Sequence, residues 1–403
     1  MEEEVGRVSR LVESYRSEII KTMVEMIPLR AISPMAGGKG ESERADFLEK
    51  KLRKWGFKTS RYDYKDNTGT IRPNIVSRTG SPKRALWIVG HMDTVSEGDR
   101  SLWKTDPFKA YVKDGRIYGR GTEDDGQGSI AGMFAMKVLK ESGLDLKYGI
   151  GVALVADEEL GSKYGICKLL DEGIFRKDDL FVVPDRGCKD GSEIEIAEKG
   201  GLWIKMTITG KQVHASTPDK GENAYRHSIR LLGEIDRVLH KKYNASNSLF
   251  EPGTSTFEMT KHEKNVDSIN IIPGVEVCYM DCRILPQYRI NDVLNEIKKV
   301  GLAKEFRSVK IKIEVANRHD PAPVIDKNCE IVRLLGEKIY KLRGIKPKVV
   351  GIGGGTCAAF IRRRGMQAAV WCTEDNVAHE PNEYAVINNI VDDAKVFALM
   401  PSE

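Results

Sequence analysis

Acidic side chains and one histidine follow directly after apolar, strand-like runs of the sequence. The run "YGIGVAL" leads into Asp157, Glu158 and Glu159, and the run "ALWIVG" leads into His91 and Asp93. Residues two apart on an extended chain face the same side, so the last two side chains project together. An imidazole with a carboxylate beside it suits a metal ligand and the group that orients it. Taken singly, each pattern also fits an ordinary loop.

A glycine-rich turn and two later loops add more groups of the same kind. "YGRGTEDDGQG" carries Glu123, Asp124 and Asp125 ahead of a predicted helix, Asp185 follows "FVVP", and His379 lies in "DNVAHEPNE". An acidic helix start complements the helix dipole, but three acids in one turn exceed that need. Gathered carboxylates repel one another unless cations neutralise them or some take up protons. The mixed set therefore predicts zinc or a similar ion, with two ions sharing one carboxylate.

The elements that must position these groups alternate between strand and helix in the first half of the chain. This alternation predicts an α/β domain with a mixed, largely parallel sheet, in which sites collect at the carboxyl ends of the strands. Residues 200–317 instead read as βαββαβ, the ferredoxin-like order. We therefore predict a catalytic domain of residues 1–199 and 318–403 that carries an inserted domain at 200–317.

Composition limits the classes of partner and the location. The 403 residues include 64 basic and 59 acidic side chains spread along the chain, which favours a solvated surface over a nucleic-acid site. No apolar run is long enough to cross a bilayer, so we expect no membrane partner. Seven scattered cysteines without a CxxC pair argue against a disulfide framework. With no recognisable secretory signal, the expected location is the cytoplasm.

These motifs, in this order over nearly the whole chain, resemble those of the two-zinc metallopeptidases and amidohydrolases, the M20-type peptidases. That family contains aminoacylase, acetylornithine deacetylase, succinyl-diaminopimelate desuccinylase, carboxypeptidase G and several dipeptidases. Its members carry a lid domain where this chain has the βαββαβ insertion. The resemblance implies an amide hydrolase with two Zn²⁺ ions, for which Co²⁺ or Mn²⁺ can substitute, and a homodimer formed through the lid.

The resemblance also implies roles for individual residues of the predicted metal centre. Glu158 would be the general base that takes a proton from the attacking water, and Asp93 would orient a ligand imidazole. Because Glu158 and the ligand beside it are adjacent, the backbone must turn there rather than continue as a strand. Family members often have a cis peptide after the bridging acid. The implied ligands are His91 and Asp185 for one ion, Glu159 and His379 for the other, and Asp124 bridging both.

Three further motifs resemble the family's substrate-binding segments. "GKQVHASTPDKGENA" places His214 where the family polarises the scissile carbonyl, often from the other subunit; without the resemblance it reads as a loop histidine. "NIIPGVEVCYMDCR" matches the segment whose asparagine and arginine contact substrate, here Asn270 and Arg283. "GGGT" resembles the substrate loop and implies that Gly355 and Thr356 hold substrate.

The sequence departs from the family pattern in places that bear on the substrate. Cys357 and Ala359 stand where the substrate loop usually has an acid and then a carboxylate-binding arginine, which leaves Arg283 as the first candidate for that task. Gly126 replaces the lysine of "D-x-K-G" and is assigned no role. The position of Asp185 is typically Glu in the deacylases and carboxypeptidases, and Asp in the dipeptidases and aminopeptidases, which favours dipeptides or short peptides.

Three functions are compatible with these residues. The leading hypothesis is a zinc-dependent exopeptidase or dipeptidase, and the second is an N-acyl amino acid deacylase of the acetylornithine deacetylase or succinyl-diaminopimelate desuccinylase type. The third is a non-catalytic metal- or ligand-binding protein on the same fold. The intact Glu158 disfavours the third, because a binding protein needs no base beside a metal ligand. Asp157 is left without a role.

Overall fold

The apolar runs of the sequence form buried strands in the computed structural model, which describes residues 2–80 and 83–402. In chain order the helices are α1 Glu2–Ser14, α2 Arg16–Met26, α3 Ser42–Lys54, α4 Gly128–Ser142, α5 Ile166–Asp171, α6 Ala224–Lys242, α7 Ile290–Gly301, α8 Glu330–Arg343, α9 Cys357–Arg363 and α10 Ile387–Leu399. The strands are β1 Thr59–Lys65, β2 Ile71–Thr79, β3 Ala85–His91, β4 Tyr111–Lys113, β5 Arg116–Tyr118, β6 Gly149–Val155, β7 Leu180–Val183, β8 Glu193–Glu198, β9 Gly200–Thr209, β10 Val213–His214, β11 Thr256–His262, β12 Ile271–Ile272, β13 Val275–Ile284, β14 Lys310–His319, β15 Lys348–Ile352, β16 Gln367–Val370 and β17 Tyr384–Val386.

The chain divides into two compact units. One comprises Met1–Ile196, Ile325–Val350 and Thr356–Glu403, and the other comprises Ala197–Val324 and Gly351–Gly355. The second unit is thus formed largely by one continuous stretch of chain, and the first by the residues before and after it.

The first unit is built on an eight-stranded sheet in the order β1-β2-β6-β3-β7-β16-β8-β15. Its central strands β6, β3, β7 and β16 are parallel, whereas β1, β2 and β8 pair antiparallel with their neighbours. Strands β3, β6 and β7 are buried along their whole length and are largely apolar, because both faces of the sheet are covered. The predicted mixed α/β fold with parallel central strands is confirmed.

Helices cover the two faces of this sheet. On β3, Trp87 belongs to an apolar cluster with residues of α5 and α9, while the neighbouring Ile88 faces α4. Gly132 permits the close approach of α4, since a Cβ there would lie 2.7 Å from Ile88 Cγ2. A smaller sheet of order β17-β5-β4 joins the segment before α4 to the C-terminal part of the chain. It brings together the loops that carry Asp124 and His379.

The second unit has an antiparallel sheet in the order β11-β13-β9-β14 with α6 and α7 packed on one face. Along β13 every second residue is buried, which is the period of two expected when one face of a sheet is covered. Strands β10 and β12 form a separate two-stranded ribbon. The order of the main elements is β9-α6-β11-β13-α7-β14, the βαββαβ order read from the sequence.

None of the helices in the described part of the chain is both long and apolar enough to span a membrane.

Candidate metal centre

Three parallel strands end at one edge of the first unit's sheet, and each end carries side chains singled out from the sequence. His91 is the last residue of β3, Glu158 and Glu159 follow β6, and Asp185 follows β7. Because β6, β3 and β7 are adjacent and parallel, their carboxyl ends meet at that edge. Asp124 reaches the same place from the turn before α4.

The six potential metal ligands form two groups. In each group, one ligand atom from every member lies within 4.8 Å of the others. Asp124 lies between the groups: its Oδ1 is 2.8 Å from His91 Nε2, and its Oδ2 is 2.8 Å from His379 Nε2. One carboxylate thus faces both histidines, as a bridging ligand must. The groups are His91, Glu158 and Asp185, and Asp124, Glu159 and His379.

The His91 ring has the orientation and surroundings of a metal ligand. Its Nδ1 is 3.0 Å from the carbonyl oxygen of Asp93, and since a carbonyl can only accept, Nδ1 carries the proton. Nε2 is therefore the ring atom that faces the neighbouring carboxylates. It is buried without a hydrogen bond, although Asp124 Oδ1 and Asp185 Oδ1 lie 2.8 and 3.4 Å away. A cation held by Nε2 and these oxygens would satisfy all of them, so the residues present fit a metal ion.

The pKa values show how strongly these charges are coupled. Burial and the nearby Asp124 raise the pKa of Glu159 to about 7, against the opposing effect of its hydrogen bond to His379. Hydrogen bonding to Asp124 and Glu159 raises the pKa of His379 to about 10. Burial also raises the pKa of Glu158 well above its usual range, with Asp185 adding to the effect. Carboxylates this close take up or share protons when no cation neutralises them.

The backbone turns directly after β6, as the adjacent glutamates require. Asp157 has a left-handed φ of 65°, and a single 3-10 turn spans Glu158–Leu160. The Asp93 carboxylate accepts hydrogen bonds from the backbone N–H groups of Glu158 and Glu159, both at 3.0 Å. Its oxygen is 3.6 Å from His91 Nδ1, so Asp93 orients the ring with its carbonyl and the turn with its side chain. The sequence predicted that the Asp93 carboxylate would orient the ring, whereas the backbone carbonyl makes the hydrogen bond.

Asp157, which had no role from the sequence, belongs to a buried polar cluster behind this turn. Its Oδ1 is 3.3 Å from Arg72 Nη2, and its Oδ2 accepts from Tyr164 N at 3.0 Å. Arg72 Nη2 also donates to Glu41, whose Oε1 lies 3.3 Å from the backbone nitrogen of Asp157. Arg72 and Glu41 were not identified from the sequence. Their only signals were a charged residue in a strand and an acid before a helix, and both are common.

The Asp124–Asp125 peptide bond is cis, as the resemblance implied for the bond after the bridging acid. The Asp125 side chain turns back to the end of β3, where its Oδ2 accepts a hydrogen bond from His91 N at 3.0 Å. The acid next to the candidate bridging residue therefore contacts the backbone of a candidate ligand.

The substrate-binding candidates lie mainly in the second unit. His214 is exposed on β10, with its Nδ1 2.7 Å from Ser216 Oγ, and the Asn270 carbonyl accepts from Ala215 N at 2.8 Å. Asn270 directly precedes β12 and thus lies next to the ribbon that carries His214. Gly355 is exposed at the end of the glycine run.

Arg283, the first candidate for binding a substrate carboxylate, already pairs with an acid of its own strand. Its Nε and Nη2 donate to the two oxygens of Asp281 at 2.8 and 3.0 Å, and its Nη1 donates to the Gly353 carbonyl at 3.3 Å. The guanidinium fork is therefore occupied in this structure. Thr356 is buried in the first unit, where its hydroxyl caps α9 by accepting from Ala358 N at 3.1 Å.

Comparisons with known proteins agree with this geometry. The model of peptidase family M20/M25/M40 matches residues 87–403. The chain is 40% identical over 401 residues to an uncharacterized metallohydrolase of Methanocaldococcus jannaschii, covering 94% of this chain and 98% of that protein. It is 27% identical over 381 residues to the succinyl-diaminopimelate desuccinylase of Buchnera aphidicola, covering 93% and 96% of the two chains.

The fold is similar to that of a solved dipeptidase. The structure of the di-peptidase Dug1p from Saccharomyces cerevisiae superposes with a TM-score of 0.78 at 18% identity, over 99% of this chain and 98% of that one. The family match covers most of the chain, including every candidate metal ligand. This chain therefore belongs to peptidase family M20/M25/M40 and is a metallohydrolase, a hydrolytic enzyme with a metal site.

Proposed function

We propose that this protein is a zinc-dependent exopeptidase that cleaves dipeptides or short peptides at a two-metal centre. The observation that carries the proposal is the Asp124 carboxylate, which faces His91 with one oxygen and His379 with the other, both at 2.8 Å. His91 and Asp185 would hold one Zn²⁺ ion, and Glu159 and His379 the other. Co²⁺ or Mn²⁺ offers similar coordination and should substitute.

The proposed general base is Glu158. When bound, the metal ions would act as Lewis acids and favour ionisation of water at neutral pH. Glu158 takes the proton from the attacking water and delivers it to the nitrogen of the leaving amine. Hydrogen bonds from the turn's N–H groups to Asp93 hold Glu158 in place, so the base need not reorganise during the reaction. The Asp93 carbonyl keeps the proton of His91 on Nδ1 and leaves Nε2 for the metal.

The second unit, residues 200–317 in the sequence-based division, is proposed as the lid and dimerisation domain. Ile269, in the turn before β12, is fully exposed, and Tyr225 and Ile229 of α6 are 47% and 57% exposed. We propose that these exposed apolar residues belong to a surface that a second copy of the chain covers. His214 on the β10–β12 ribbon would then polarise the scissile carbonyl in the partner's active site. Further substrate contacts are proposed for Asn270, Arg283, Gly355 and Thr356.

The aspartate at position 185 favours a peptide substrate over an N-acyl amino acid, since the family's dipeptidases and aminopeptidases typically have Asp there. The second candidate function is an N-acyl amino acid deacylase, favoured by the relatives at 27% identity and below that are named succinyl-diaminopimelate desuccinylase.

A cytoplasmic location is also part of the proposal. It is supported by the seven cysteines, all of which are free thiols.

A substrate screen tests the proposal. The purified protein, loaded with Zn²⁺ or Co²⁺, is incubated with a dipeptide library and with N-acetyl and N-succinyl amino acids, and products are identified by mass spectrometry. We expect dipeptide hydrolysis that Glu158→Gln abolishes. Cleavage of the N-acyl compounds alone would identify a deacylase. A metal-loaded protein that cleaves neither class would support the binding-protein alternative.

A further inference from the structure

Two loops of the first unit, one carrying Asp124 and one carrying His379, each place a buried glutamate against the backbone of the other. Glu383 follows His379 in sequence and is completely buried; Glu123 precedes Asp124 and is 3% exposed. Glu123 accepts hydrogen bonds from the backbone nitrogens of Asp375, at 2.8 Å, and Val377. The two candidate ligands thus lie on loops that are fastened to each other.

Glu383 makes the larger share of these contacts. Its Oε1 accepts from three backbone nitrogens of the other loop, those of Gly121 at 3.0 Å, Glu123 at 2.9 Å and Asp124 at 3.2 Å. The last of these belongs to the residue that faces both histidines. A carboxylate that binds three N–H groups fixes the path of that turn, because no water can replace it in a buried site.

Arg120 connects Glu383 to the backbone of the other ligand. Its Nη1 donates to Glu383 Oε2 at 2.6 Å, and its Nη2 donates to the carbonyl oxygen of His379 at 3.1 Å. Arg120 is itself 2% exposed. The guanidinium therefore spans two acceptors, the glutamate that holds Asp124 and the peptide group of His379. Neither Arg120 nor Glu383 faces the candidate metal position with a free ligand atom, so both act through other residues.

We propose that Glu383 and Arg120 are positioning residues of the metal centre, which hold Asp124 and His379 at the separation that binds a metal ion. The inference rests on the proposed function, because it takes both residues as metal ligands. Residues that orient metal ligands through hydrogen bonds typically contribute about 10–100-fold to metal affinity. The same range is expected here.

The Glu383→Gln variant tests the proposal. Glutamine keeps one oxygen, but its amide nitrogen must face either the three N–H groups or the Arg120 guanidinium. Zn²⁺ affinity is measured by competition with a chromogenic chelator, for both equivalents, and thermal unfolding is recorded in parallel. We expect at least one equivalent to bind about 10–100-fold more weakly than in the parent.

The matched control is Glu195→Gln, which makes the same substitution in another buried pair of the first unit. Glu195 on β8 is 2% exposed and accepts from Arg362 on α9 at 2.9 and 3.2 Å. Both variants lose a buried ion pair and should be destabilised similarly, but the control should keep parental affinity for both Zn²⁺ equivalents. Equal losses of affinity in the two variants, or parental affinity in Glu383→Gln, would overturn the proposal.

Arg120→Lys provides a second, milder variant if Glu383→Gln does not fold. Lysine keeps a positive charge near Glu383, but a single ammonium does not reproduce the fork that spans Glu383 and His379. We expect one Zn²⁺ equivalent to bind more weakly than in the Glu195→Gln control, and unchanged affinity would contradict the inference. A parent protein that binds fewer than two equivalents would instead refute the two-metal function itself.

Discussion

Replacing Arg72 by methionine should strongly destabilise the first unit. Arg72 is 1% exposed and contacts Glu41 and Asp157, which are 0% and 4% exposed. Methionine fills a similar volume but leaves both carboxylates buried without the cation that they contact. Breaking a buried ion pair in this way costs about 3–5 kcal/mol of unfolding free energy. Because Asp157 begins the turn of Glu158, turnover should fall as well.

The size of this loss should depend on pH. Burial and the nearby Asp93 raise the pKa of Glu41 to about 7, against the opposing effect of Arg72. A carboxyl group with a raised pKa in the folded state contributes its full stability below the pKa of the unfolded state, near 4.5. This contribution is lost as the pH rises through the pKa of the folded state. Removing Arg72 raises the pKa of Glu41 in the folded state further, so the variant continues to lose stability as the pH rises above 7. The variant should therefore be least stable, relative to the parent, at pH 8.

Urea unfolding of the metal-free proteins at pH 5.5 and pH 8 measures the effect. Four of the five tryptophans lie in the first unit, so tryptophan fluorescence reports mainly on its unfolding. The control is the double variant Arg72→Met with Glu41→Gln, which removes the buried charge as well and should recover part of the loss. If Arg72→Met loses less than about 1 kcal/mol of unfolding free energy at pH 8, or the same amount at both pH values, then Arg72 does not stabilise the fold by neutralising buried carboxylates.

Three further predictions concern the metal centre and the dimer. Glu158→Gln should lower turnover by about 10²–10⁴-fold while bound zinc, measured by elemental analysis, stays at the parental level; a loss of zinc would make Glu158 a ligand instead. Mixing the inactive His214→Ala and Glu158→Gln proteins should restore activity in about a quarter of the sites. About half of the dimers are then hybrids, and each hybrid has one complete site of two. No recovery would argue against a site shared between subunits. Asp124 and Glu159 raise the pKa of His379 to about 10, so Zn²⁺ must displace a proton from His379 when it binds. The affinity for Zn²⁺ should therefore rise about tenfold per pH unit between pH 7 and 9. Calorimetry in two buffers should detect the released proton. A pH-independent affinity would contradict that assignment.

The sequence was sufficient to predict the fold class and to select residues that the structure brings together. Parallel strands end at the same edge, so acids found after several apolar runs were expected to meet there. His91, Glu158 and Asp185 follow this rule, and their ligand atoms lie within 4.8 Å of one another. Their individual roles remain predictions. Which atom of Asp93 faces His91 was beyond the sequence, because it depends on the backbone path at the end of β3.

The supporting residues escaped prediction because their partners are distant in sequence. Glu383 and Gly121 are 262 positions apart, so no local pattern relates them. Arg72 and Glu41 likewise meet only after β2 packs near the start of α3. The pairing of Arg283 with Asp281 is different: residues two apart on a strand share a face, so their contact could have been expected from the sequence.

The most direct test of the two-metal centre is anomalous diffraction at the zinc edge from crystals of the zinc-loaded protein. We expect two peaks about 3.5–4 Å apart, the spacing of two-metal hydrolytic sites. One peak should touch His91 and Asp185, the other Glu159 and His379, with an oxygen of Asp124 on each. A single peak, or two peaks that do not share Asp124, would contradict the proposed centre.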